Sequence, residues 1–147
     1  MARPKFDLLL VEDDSNDATV AMRAFRRHGL GERVKLVRDG AEAHEYLLGE
    51  DTAQNGERRL VPRVIFLDLK MPKVDGLSLL AKLRASERTR EVPVVIVTSS
   101  NREVDVKESY RLGANSFVVK QFDLAKPGEY LVDVAHYWLD LNREAHG

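Results

Sequence analysis

The chain has 147 residues, 32% of them charged, which suits one domain with a sizeable core. Its 23 basic and 24 acidic residues leave a net charge of −1, without the basic excess of a nucleic-acid binder. There is no cysteine, which excludes disulfides, thiolate metal sites and thiol catalysis, and no apolar run reaches the ~20 residues that cross a bilayer.

The basic residues at the start precede an apolar stretch that ends at Glu12, too short for a secretory signal, so a cytoplasmic protein is expected. That stretch, residues 6–11, reads as a first strand. Asp14 or Ser15 then caps a helix containing Val20, Met22, Phe25 and Arg26, ended by Gly29. Residues 34–37 form a second strand, and 41–48 a short helix stopped by Gly49. The polar stretch from Gly49 to Pro62 is long for such a connection and reads as a surface insertion. Residues 64–67 form the third strand, followed by a helix opened by Asp75-Gly76 with Leu77, Leu80 and Leu83 at helical spacing. A strand over 94–97, a helix over 104–112 stopped by Gly113, and a strand over 116–119 come next. Pro127 opens a last helix that runs to about Asn142.

This fivefold alternation predicts an α/β fold with a doubly wound, five-stranded parallel sheet of flavodoxin-like type in strand order 2-1-3-4-5. The strands are nearly continuous apolar runs, as burial on both faces requires. One domain spans 1–147, with its core over about 5–143, and no linker to an output domain is visible.

The polar residues that end the strands carry the chemistry. Glu12-Asp13 follow the first strand, Asp68 the third, Thr98 the fourth and Lys120 the fifth. Ligands of open parallel sheets bind at the carboxyl ends of the strands where the order reverses, here between the first and third. Arg38-Asp39-Gly40, at the end of the second strand, is assigned to turn chemistry. Three carboxylates in one crevice repel one another unless neutralised. Lys120 supplies one positive charge, and a hard, oxygen-preferring cation such as Mg²⁺ supplies the rest. Taken singly, Thr98 or Lys120 is an ordinary strand end and Asp13 an ordinary helix cap. Their joint placement at one end of the sheet favours a site.

The ordered set Leu10-Val11-Glu12-Asp13-Asp14, Leu67-Asp68-Leu69-Lys70-Met71-Pro72 with Asp75-Gly76, Val97-Thr98-Ser99-Ser100, Gly113-Ala114-Asn115 and Val119-Lys120 resembles the response-regulator receiver family over almost the whole chain. The resemblance implies a two-component signalling switch, not an enzyme beyond its own phosphorylation and dephosphorylation. Asp68 would be the phosphoacceptor, served by Mg²⁺ or Mn²⁺. Asp13 would be the main metal carboxylate, Glu12 would act through metal-bound water, and Lys70 would give a backbone carbonyl to the metal. Thr98 and Lys120 would hold the phosphoryl oxygens, and Phe117 would be the switch aromatic. Two departures stand out. Gln121 follows Lys120 where most receivers have proline, so a trans Lys120–Gln121 bond is expected. Lys70, two residues after the acceptor, is bulky and cationic and is expected to shield the acyl phosphate or contact the donor.

From Gly128 on, Leu131, Val134, Ala135, Trp138 and Leu141 make one apolar stripe, while Tyr130, Val132, Tyr137 and Leu139 fall outside it. This surplus suggests a homodimer through the fourth helix, fifth strand and fifth helix, with Tyr130, Tyr137 and Leu139 on the partner surface. The ending Tyr137-Trp138-Leu139, the loop before the third strand and the missing proline resemble the small regulators that serve phytochrome-type histidine kinases, which implies a sensor kinase of bacteriophytochrome type as partner. Two other readings are weighed. An aspartyl-phosphate phosphatase or hydrolase would want an acid where Lys70 stands. A non-phosphorylated pseudo-receiver would not need Asp13, Asp68, Thr98 and Lys120 all intact.

Overall fold

The computed structural model describes residues 6–49, 61–71 and 74–144. Among them, five strands alternate with five helices: β1 (Leu8–Val11), α1 (Ser15–Arg27), β2 (Val34–Val37), α2 (Gly40–Leu48), β3 (Val64–Leu67), α3 (Gly76–Ala85), β4 (Val94–Thr98), α4 (Glu103–Arg111), β5 (Ser116–Val119) and α5 (Glu129–His136). The strands form one parallel sheet in the order β2-β1-β3-β4-β5, as the alternation predicts. The order reverses between β1 and β3, so the chain leaves those strands in opposite directions and opens a crevice above their carboxyl ends. Most of the inserted stretch (50–60), and Pro72 of the motif after β3, lie outside the described residues.

Side-chain alternation divides the core into two layers. Leu8 and Leu10 of β1, Phe66 of β3 and Val95 and Val97 of β4 pack under α1 and α5. Leu9, Val11, Ile65, Leu67, Val94 and Ile96 pack on the other face, under α2 and α3. Every residue of β1, β3 and β4 is buried, which is why these strands read as unbroken apolar runs.

Aspartates set the starts of three helices. Asp14, Asp39 and Asp75 are N-caps whose carboxylates accept from the backbone N–H of Asp17, Glu42 and Ser78. Gly76 lets α3 start hard against the end of β3. A Cβ there would lie 2.3 Å from the Asp68 carbonyl oxygen, and its own N–H donates to the Leu69 carbonyl at 2.9 Å. This packing fixes the backbone on which Asp68 sits.

In α1 the inward stripe is Ala18, Ala21, Met22, Ala24 and Phe25, and Val20 faces outward. The small alanines allow α1 to approach the sheet closely but give a weak apolar signal. The last helix starts after Pro127, because Gly128 takes φ +78° and serves as N-cap. It buries Leu131, Val132, Ala135 and Leu139, at i, i+1, i+4 and i+8, which share one helix face. Val132 and Leu139 therefore belong to the core, and Leu139 is only 4% exposed, so its placement on a partner surface is corrected. Leu141, expected inside, is 77% exposed. The inner face is rotated from the expected stripe by about one residue. A π-helical turn, Tyr137–Leu141, then ends the element, with Asn142 N–H donating to the Tyr137 carbonyl.

Candidate functional site

Two loops deliver acids to the crevice. β1 runs directly into Glu12 and Asp13, and β3 into Asp68. Ligand oxygens of Glu12, Asp13 and Asp68 all lie within 4.8 Å of one another, as the topology predicts. Glu12 and Asp68 are buried, while Asp13 is half-buried at the rim. The donor set is all oxygen, with no His or Cys in the cluster, and suits a hard cation such as Mg²⁺ or Mn²⁺.

Lys120 closes the crevice from β5. Its Nζ donates to Glu12 Oε1 at 2.7 Å, Asp17 Oδ2 at 2.8 Å and Asp68 Oδ2 at 3.0 Å. All three ammonium protons are thereby taken, and the side chain is only 7% exposed. The lysine backbone is tied to its neighbour strand, its N–H donating to the Thr98 carbonyl at 2.8 Å. The Lys120–Gln121 bond is trans, as expected without proline, since there is no cis bond among the described residues.

The electrostatics follow from burial. Removal from water, reinforced by the nearby Asp68 charge, pushes the Glu12 carboxyl up to about 7, although Lys120 hydrogen bonds oppose it. For Lys120 burial acts against the charged form, but the bonds to Asp17 and Glu12 and the charge of Asp68 outweigh it. The ammonium is held well above the usual lysine range.

Of the remaining expected residues, Thr98 and Lys70 are also at this end of the sheet, whereas Tyr137 lies beside Ser116 at the opposite end. Thr98 is fully buried, and its Oγ1 accepts from the Ser100 N–H at 3.4 Å. Phe117, half-buried against the α2–α3 layer, shares a sheet face with Thr98 by strand alternation. Lys70 is exposed; its backbone N–H donates to Asp68 Oδ1 at 3.3 Å, which holds its peptide beside the acid cluster. Tyr137 is exposed. Tyr130 is turned inward: it packs on the α1–α5 layer and lines a cavity of about 160 Å³ beside Lys120. Burial pushes its hydroxyl pKa up, against hydrogen bonding with the Gln121 backbone. Its placement on a dimer surface is corrected accordingly.

Two site residues escaped the sequence reading. Asp17 lies in the first turn of α1 on the stripe of Ala21 and Phe25, pointing at Lys120. An acid at the end of an inward-facing stripe was the signal available. Arg38, taken as a turn residue, reaches across from β2. Its Nε donates to the Glu12 carbonyl at 3.1 Å, and its Nη2 to the Asp13 carbonyl at 3.0 Å and Ser15 Oγ at 2.9 Å. One guanidinium thus fixes the backbone of both acids in the β1–α1 loop.

Comparison with known proteins points the same way. Residues 8–129 match the response regulator receiver domain. Over 142 residues the chain is 37% identical to the probable methanogenesis regulatory protein FilR2 of Methanothrix harundinacea, covering 97% of this chain and 89% of that protein. The phosphorylated cyanobacterial phytochrome response regulator RcpA superposes with a TM-score of 0.83 at 31% identity, covering 97% of this chain and 99% of that one. The bacteriophytochrome response regulator RtBRR superposes with a TM-score of 0.71 at 41% identity, covering 98% and 84%.

Proposed function

The chain belongs to the response regulator receiver domain family, and from that premise we propose that Asp68 is its phosphoacceptor within a two-component signalling pathway. Members of the family are signalling modules that use Mg²⁺ or Mn²⁺. The observation that carries the residue assignment is the convergence of Glu12, Asp13 and Lys120 on the buried Asp68 carboxylate.

Each residue then has a task. An Asp68 oxygen forms the new O–P bond while the P–N bond of a phosphohistidine donor breaks, and the imidazole leaves with the electron pair. Lys120 turns the proton now shared with Asp68 toward a phosphoryl oxygen. The Thr98 hydroxyl donates to another, and that movement gives Phe117 room on the shared sheet face. Glu12, Asp13, Asp68 and the Lys70 carbonyl are the groups that would hold the cation, whose contribution would be to neutralise charge on the phosphoryl oxygens. Lys70 itself, exposed at the rim, is assigned the shielding of the acyl phosphate from water, and Lys70→Asn is expected to shorten its lifetime.

The partner reading is a sensor histidine kinase of phytochrome type. It is supported by the likeness to RcpA and RtBRR over nearly the full chain. A homodimer through α4, β5 and α5 is supported by exposed Val104 and Tyr110 on α4, Val119 on β5 and Tyr137 in the turn that continues α5. An open groove lined by Ser116, Val118, Val134, Tyr137 and Trp138 adds to it, beside the sheet-edge strand β5. Light scattering over a concentration series tests it, and a monomer at every concentration, phosphorylated or not, removes it.

The test of the main reading is intact mass after incubation with Mg²⁺ and acetyl phosphate. Wild type is expected to gain one phosphoryl group and Asp68→Asn none. Equal uptake by both would reassign the acceptor.

A further inference from the structure

Lys120 has three carboxylate partners, and they are not equivalent. Glu12 and Asp68 belong to the cluster that can hold a cation; Asp17 does not. Both shared carboxylates are therefore drawn on by two positive charges whenever the cluster is loaded, and the ammonium is repelled by the ion held beside it. Asp17 alone keeps its charge for the lysine. The main chain is held at Lys120 by its N–H to Thr98 and at Gln121 by Tyr130, but residues 121–127 are all exposed and the lysine side chain extends beyond these anchors. Room to move is present, because the cavity of about 160 Å³ bounded by Phe122, Leu124 and Tyr130 opens directly on Lys120.

We propose that Asp17 is a positioning residue that retains Lys120 over Asp68 when the acid cluster holds its cation, so that the ammonium faces the incoming phosphoryl group. This rests on the assignment of Lys120 to the phosphoryl oxygens. A plain helix-start role for Asp17 does not account for the geometry. That role uses its backbone N–H, which donates to the Asp14 cap at 2.8 Å, and a negative charge near the positive end of α1, neither of which needs contact with Lys120. The carboxylate spans 103 residues of sequence to reach Lys120.

The test follows the side-chain ammonium signal of Lys120 by ¹⁵N–¹H correlation, assigned by its disappearance in Lys120→Met. In wild type a slowly exchanging signal is expected with and without Mg²⁺. In Asp17→Ala it is expected to survive without Mg²⁺, where Glu12 and Asp68 hold the lysine, and to exchange about tenfold or more faster when Mg²⁺ is added. Asp17→Asn, which keeps the shape and an acceptor oxygen, should lie between, and it stands in should the alanine variant fold poorly. The variant should also need about tenfold more acetyl phosphate for the same rate of phosphoryl uptake. A Lys120 signal that Mg²⁺ leaves untouched in both variants overturns the proposal. Absence of phosphoryl uptake by wild type would instead sink the assignment of Asp68, and the ammonium signal would still report on Asp17.

Discussion

β1 and β3, in the middle of the sheet, are buried along their whole length, whereas β5 at the edge has three half-buried residues and one exposed. The helices follow suit: α1 buries five residues, while α4 buries only Ser109 and leaves Val104 and Tyr110 in water. The acids of the site stand on the tightly packed strands, and the lysine that meets them stands on the loose edge. A phosphoryl group joining Asp68 to Lys120 therefore joins a rigid part to a deformable one. The response should appear at the edge, where small free energies suffice to shift the packing.

The contrast is first tested by stability. Phe66→Ala, in the centre of β3, should cost about 3–5 kcal/mol by transfer and cavity terms, measured by urea unfolding. A cost below about 1 kcal/mol would mean that the central strands are not the rigid part.

Glu12 gives the next largest effect, through pH. Its carboxyl lies at about 7 in the folded, metal-free protein against 4.5 for the free group. The folded state keeps a proton that the unfolded chain has released between those values. Metal-free stability should therefore fall as pH rises through that window, by up to about 3 kcal/mol. Saturating Mg²⁺ favours the ionised carboxylates and should reverse the slope. Denaturant melts at pH 5 and 7.5, with Glu12→Gln as the variant whose slope flattens, check both signs.

How much of this was legible depended on which residues announce themselves. The central strands did, because burial on both faces leaves an unbroken apolar run followed by an abrupt acid, as at Leu67-Asp68. The stripe of α1 did so poorly, since its three alanines signal little and only Met22 and Phe25 mark the buried side. In the last helix, apolar residues on both sides left the rotation undecided. Packing against α1 and the sheet settled it in favour of Val132 and Leu139. Asp17 and Arg38 were missed for another reason. Their partners, Lys120 and the carbonyls of Glu12 and Asp13, lie in other elements, and no local pattern announces a contact across the fold.

Arg38 sharpens the comparison on the rigid side. If its guanidinium stiffens the β1–α1 loop, Arg38→Lys should weaken Mn²⁺ binding about tenfold in calorimetry, the usual scale for an outer support of a metal ligand. Lysine keeps the charge but cannot reach both carbonyls in the same plane. Unchanged affinity in Arg38→Lys would reduce Arg38 to an electrostatic neighbour, and tighter binding in Arg38→Met would then be its signature.

The smallest expected effect is on the loose side. Val104→Ser and Tyr110→Ser remove apolar groups that are already in water, so each should change the stability of the dilute protein by less than about 0.5 kcal/mol. The measurement gains force when repeated at high concentration. A second copy covering α4 would turn these same substitutions into losses of buried area, and their cost would grow with concentration. A cost that stays small at every concentration leaves α4 solvated, and the deformability of this edge then belongs to the single chain. A cost that is large even in dilute protein would contradict the exposed positions of both side chains and, with them, the division of the fold into a rigid centre and a yielding edge.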